Sequence, residues 1–133
     1  MIYLDSSALV KLVRREPGSV ELLGWLNADD RVGAQRVSSV LAEVELSRAL
    51  RRSAPRALVG VPLVLSDLYL IEMTNVVRRT AAAYDAPLLS SLDAIHLATA
   101  QVLAGELDAF VTYDKRLLEV AAGVGMAVAA PGS

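Results

Sequence analysis

Short apolar runs alternate with segments of helical period along the whole chain, and this alternation limits the available folds more than any other feature. Ile2 to Leu4 is an apolar run ending at Asp5 and reads as a buried strand. Ser6 or Ser7 can cap the helix that follows, Ala8 to Arg15, which Pro17-Gly18 breaks. Ser19 opens a second helix, with Val20, Leu22, Leu23 and Leu26 at helical spacing. Arg31 to Val37 reads as a second strand, and Ser38 or Ser39 caps a long helix, Val40 to Arg52. Pro55 and Pro62 bracket a segment read as a short helix. Leu68 to Ile71 is a third strand, and Thr74 caps a helix to about Tyr84. A further helix, opening at Ser91 and Asp93, runs through Leu103 and is ended by Gly105. The strand Ala109 to Thr112, the helix Leu117 to Ala122 and the strand Met126 to Ala129 follow, with Pro131 to Ser133 as a tail. Strands alternating with helices predict an α/β domain: a mainly parallel central sheet of about five strands flanked by helices. A length of 133 residues fits a single domain spanning 1–133.

Composition narrows the chemistry. The chain has no cysteine and one histidine, His96, so disulfides, thiolate metal sites and His-rich zinc sites are excluded. With hydrophobic residues at 54% but only six aromatics, the core should be aliphatic. Trp25 and the leucines around it read as core or interface. No apolar stretch is long enough to span a bilayer, and the start MIYLDSS lacks a signal peptide's basic and apolar regions. A soluble cytoplasmic protein is expected. The formal net charge of −2 does not mark a general nucleic-acid binder. Arginines nonetheless cluster at Arg14-Arg15, at Arg48, Arg51, Arg52 and Arg56, and at Arg78-Arg79, and their forks suit phosphate.

Four acids stand at positions awkward for a fold: Asp5 and Asp114 beyond strand ends, Asp93 at a helix start, and Glu43 within the long helix. Parallel α/β sheets form their sites beyond the carboxyl ends of the strands. Glu43 competes with Glu45, which points to nearly the opposite side of the helix. Glu45 shares its side with Arg48 and Arg52, giving plausible surface pairs. Glu43 shares a largely apolar side with Val40, Ser47 and Leu50, so Glu43 is the acid expected to face inward. Each acid also has a purely structural use, since Asp5, Asp93 and Asp114 all sit where a helix N-terminus favours them. Gathered together they need a cation or a shared proton. Carboxylates about 4 Å apart repel by roughly 4 kcal/mol at an effective dielectric of about 20. Hard oxygen ligands select Mg²⁺ or Mn²⁺, which suits phosphoryl chemistry. His96, one helical turn after Asp93, reads as a structural histidine.

The segments MIYLDSSALVKL, SSVLAEVELSRAL, SLDAIHLATA and FVTYDKRLLEVA, in this order and spacing, resemble the PIN-domain ribonucleases, specifically the VapC-type toxins of toxin–antitoxin pairs. The resemblance covers essentially the full length and implies a PIN-like fold. It places an acidic quartet on Asp5, Glu43, Asp93 and Asp114. Asp5 and Asp93 would be the principal metal ligands, with Glu43 and Asp114 completing the metal and water network and Thr112 supporting it. It also implies Mg²⁺- or Mn²⁺-dependent endoribonuclease activity, a homodimer, and silencing by a cognate VapB-type antitoxin. Two alternatives remain at this level. One is a non-catalytic PIN scaffold that binds RNA or protein. The other is a phosphoacceptor receiver domain, which normally needs adjacent acids at the first strand and a late lysine.

Overall fold

A computed structural model describes all residues, 1–133. Five strands form one sheet: β1 (Ile2–Leu4), β2 (Arg36–Ser39), β3 (Tyr69–Ile71), β4 (Ala109–Val111) and β5 (Val128–Ala129). Their spatial order is β3-β2-β1-β4-β5, and every pairing is parallel. Seven α-helices cover the faces: α1 (Ser6–Val13), α2 (Ser19–Leu26), α3 (Leu41–Ser53), α4 (Val61–Ser66), α5 (Asn75–Ala83), α6 (Ser91–Val102) and α7 (Lys115–Gly123). The Pro55–Gly60 segment is a 3₁₀ helix that runs into α4, so the stretch between the two prolines is helical as expected. No helix is long and apolar enough to cross a membrane.

The expected α/β architecture holds, and the strand order decides between two of the readings. Receiver domains follow the order 2-1-3-4-5. Here the chain builds outward from β1 through β2 to β3, then returns to place β4 on the other side of β1. The reversal of direction lies between β1 and β4, and open α/β sheets bind ligands outside the carboxyl ends of the strands at such a switch point.

Alternation along β1 divides the core in two. Ile2 and Leu4 face one side of the sheet, with Leu9, Leu22, Leu26, Leu46 and Leu50 from α1, α2 and α3. Tyr3 faces the other side, with Phe110, Leu97, Leu117 and Ala121. Tyr3 stacks on Phe110 with ring centroids 5.2 Å apart. Trp25 packs at the edge of the first core, with the Arg31 guanidinium 4.3 Å from its ring centre.

Several boundaries depart from the sequence expectation: α1 is Ser6–Val13 with Asp5 as its cap, rather than Ala8 to Arg15 after Ser6 or Ser7, α7 starts at Lys115 rather than Leu117, and β5 is confined to Val128–Ala129. The segment Arg31 to Gly33 is not strand. Its backbone closes turns instead, with the amides of Arg31 and Val32 donating to the Ala28 carbonyl and Ala34 N to Arg31 O. Strand β2 starts where β1 offers a partner, Arg36 opposite Ile2, and runs on through Ser38 and Ser39. Both serines are strand residues and the Ncap position of α3 falls to Val40; Ser38 is fully buried and donates to the Leu4 carbonyl (2.6 Å), while the Ser39 hydroxyl accepts from the Leu41 amide (3.1 Å) and so serves the start of α3. The residues Pro131 to Ser133 are held down, since the Tyr113 hydroxyl donates to the Pro131 carbonyl (2.7 Å). Gly132 sits in the left-handed region (φ 84°), and a Cβ there would come within 2.9 Å of Glu21.

Candidate active site

Strand β1 ends in the core and delivers Asp5 at the switch point. Asp5 is the N-cap of α1, so its carboxylate is fixed by the helix it starts. The Ala8 amide donates to Oδ1 (3.0 Å), as does the Ser7 hydroxyl (2.6 Å). Thr112, at the end of β4, donates its hydroxyl to Oδ2 (2.5 Å). The same Thr112 oxygen accepts from the Asp114 amide (3.1 Å), and Ser7 Oγ accepts from the Tyr113 amide (2.9 Å). Two hydroxyls thus join the loops after β1 and β4, and each touches Asp5 and the backbone that carries Asp114. Asp114 caps α7 through Oδ1, accepting from Leu117 N (2.9 Å), and is otherwise exposed. Asp93 lies in the first turn of α6. Its amide donates to the capping hydroxyl of Ser90 (3.2 Å) and its side chain is half-buried.

Helix capping does not withdraw Asp5 and Asp114 from the cavity. Both acids cap a helix, and the cap aims the carboxylate. Asp5, Asp93 and Asp114 line one open cavity of about 490 Å³, with Ser6, Ser7, Glu45, Arg48 and Arg52 among its other walls.

Glu43 is not in this cavity: it is exposed, and the acid that α3 delivers there is Glu45. The expectation of an inward Glu43 failed because it equated the core face of α3 with the site face. The buried row of α3 is Ala42, Leu46 and Leu50, and the cavity lies on the flank of that apolar stripe, lined by Glu45, Arg48 and Arg52, so a site acid need not share the core face. Glu45 does share its side with Arg48 and Arg52, as expected, and that side is the cavity wall.

His96 is the second residue whose role the structure enlarges. It is fully buried, and its Nδ1 hydrogen-bonds with the Tyr3 hydroxyl (2.7 Å). Its Nε2 bonds Glu45 Oε1 at 2.5 Å. Burial alone would lower its pKa, but the bond to Glu45 and the charges of Glu45, Asp5 and Asp93 outweigh it, and the net shift is upward. His96 thus packs as a core residue and holds one site carboxylate in place. Two signals in the sequence pointed this way: a buried histidine must find a partner, and Glu45 is the acid flanked by basic residues. In the sequence Arg48 and Arg52 stand out only as members of an arginine cluster suited to phosphate and as surface partners for Glu45, and Ser7 only as a helix cap; nothing there places any of them at the acids.

Electrostatics at the acids follow from burial. Desolvation pushes the Asp5 carboxyl above the usual range, despite the opposing effects of His96 and of the bonds from Ser7, Thr112 and Ala8. Asp93 is also raised, first by burial and then by the negative charges of Asp114 and Asp5. As they stand, no three of these side chains form a closed ligand cage. The donor set still fits a hard divalent cation, because every candidate ligand is a carboxylate oxygen and Asp93 is strained by like charge that a cation would relieve.

The PIN domain family matches residues 2–123. The chain belongs to that family, among its VapC-type ribonucleases. It is 54% identical over 134 residues to ribonuclease VapC35 of Mycobacterium tuberculosis, an alignment covering 99% of this chain and 98% of the relative. Ribonuclease VapC46 of the same organism is 44% identical over 130 residues, covering 98% and 97%. Among solved structures, Mycobacterium tuberculosis VapC20, described as a sarcin-ricin loop cleaving toxin, superposes with a TM-score of 0.74. That match covers 98% of this chain and 100% of VapC20, and at 16% identity it speaks for the fold alone.

Proposed function

We propose that this chain is the toxin of a VapBC-type pair, an endoribonuclease dependent on Mg²⁺ or Mn²⁺ that hydrolyses RNA phosphodiester bonds. The observation that carries the reading is the convergence of Asp5, Glu45, Asp93 and Asp114 on one cavity at the sheet's switch point, in a chain closely related to ribonucleases. Asp5, Asp93 and Asp114 would hold the ion, with Glu45 completing the set. When bound, the ion supplies Lewis-acid polarisation of the phosphate and lowers the pKa of water. Asp5 contributes a carboxylate fixed in direction by Ser7 and Thr112. Glu45 has Oε1 tied to His96, and Oε2 makes no hydrogen bond within the protein, so Oε2 would be the atom that accepts a proton from attacking water. The partners are RNA, a cognate VapB-type antitoxin and a second copy of the chain. Acting on RNA, the protein would work in the cytoplasm.

The test is cleavage of a total RNA preparation by antitoxin-free protein. Wild type should cut with Mg²⁺ or Mn²⁺ and stop with EDTA, and Asp5→Asn and Asp93→Asn should lose at least about 100-fold in rate, since each removes ion-binding charge. A folded wild type that is inert with both ions, and no different from Asp93→Asn, would leave the non-catalytic scaffold as the better reading.

A further inference from the structure

Two positive charges on the wall of an acidic cavity need an explanation. Arg48 and Arg52 line the carboxylate cavity, yet neither guanidinium makes an ion pair or a hydrogen bond within the protein. An arginine one helical turn after a glutamate ordinarily pairs with it. Glu45 bonds the buried His96 through Oε1, and no carboxylate lies within ion-pair distance of Arg48. Arg52 stands four residues further on, so the two forks rise along one helix face by about 6 Å. A rise of that order is comparable to the separation of successive phosphates on one nucleic-acid strand.

We infer that Arg48 and Arg52 bind the RNA backbone, taking consecutive phosphates next to the scissile one and so directing the strand along α3 away from the acids. The inference rests on the ribonuclease reading above and adds a track to it. Guanidinium forks suit phosphate oxygens bidentately. Without such contacts the polyanion would meet four carboxylates and two unused cations. The contacts are to the backbone, so they contribute affinity and register rather than base identity.

Phosphate contacts do not depend on sequence, so a fluorescein-labelled RNA stem–loop is a sufficient probe. Binding would be followed by anisotropy in Mg²⁺ across a salt series, in an Asp93→Asn background to prevent turnover. Arg48→Gln and Arg52→Gln should each weaken binding and flatten the plot of log K against log salt by about 0.7–0.9. Lysine at either position should restore the slope but not the full affinity. Arg51→Gln, on the same helix but outside the cavity, should leave both unchanged. An unmoved slope in both cavity variants, or an equal change in Arg51→Gln, overturns the assignment. So does intact RNA binding accompanied by weakened antitoxin binding, because the pair would then recognise a protein. Cleavage by the otherwise wild-type chain, run in parallel, separates this inference from the one beneath it. Binding with the expected slopes but no cleavage refutes the nuclease alone. Cleavage with arginine-independent slopes refutes the phosphate track alone.

Discussion

Two glutamates two residues apart are the sharpest case at the scale of single residues. Glu45 lines the cavity and is bonded to His96, whereas Glu43 is exposed. Glu45→Gln should therefore abolish most cleavage and shrink the rise in melting temperature on adding Mg²⁺, as removal of any ligand would. Glu43→Gln should leave both close to wild type. Matched thermal melts with and without Mg²⁺ would decide it, and equal behaviour of the two variants would mean that the cavity is not the ion site. Of the four acids that line the candidate site, three were legible in the sequence, because Asp5, Asp93 and Asp114 follow strand ends or open helices and local pattern places them. The fourth was not. Its direction depends on which neighbour of α3 covers which turn, and that is a tertiary fact. The partner that reveals it, His96, lies 51 residues away in sequence.

Helix caps dominate at the scale of elements. Asp5, Asp114 and Ser90 begin α1, α7 and α6, and each cap also sets the position of a site acid. Ser90 is the informative one to change, because it is exposed and not itself a proposed ligand. Ser90→Ala should cost about 1 kcal/mol, the usual loss for an N-cap. It should also lower cleavage more than that small destabilisation explains, since the first turn of α6 carries Asp93. Thermal denaturation together with kcat and KM would show this. A loss of stability with unchanged kcat would mean that Asp93 is positioned by packing alone. The helices were legible from period and the strands from their apolar runs, but the caps only in part: Thr74 begins α5 as expected, whereas Asp5 caps α1 and Val40 holds the Ncap position of α3. The start of β2 was misjudged because Val32 looks strand-like locally, while strand pairing is granted only where β1 lies alongside. Pairing between segments more than thirty residues apart leaves no trace in local pattern.

The whole molecule concentrates its electrostatic cost in one place. Asp5 and Asp93 have folded-state pKa values raised above those of an unfolded chain, and so does His96. All three shifts have the same sign for stability. A raised carboxyl favours the folded state while protonated, and that advantage fades as pH climbs from about 4 through the folded value. For His96 the gain is complete below about pH 6.5 and is lost as pH passes its raised folded value. EDTA-treated protein should therefore melt at progressively lower temperature between about pH 5 and pH 8. Mg²⁺ should act in the opposite direction, because its ligands must be deprotonated, so its stabilisation should be larger at pH 8 than at pH 5.5. Glu45→Gln tests the link between the two effects. Losing Glu45 removes the main influence that raises His96, so burial would then favour the neutral ring. The fall in melting temperature above pH 6 should be shallower in that variant, and Mg²⁺ should restore less of it. A melting temperature that rises with pH in the metal-free wild type would contradict the account, because it would require these acids to be stabilised as anions before any ion arrives.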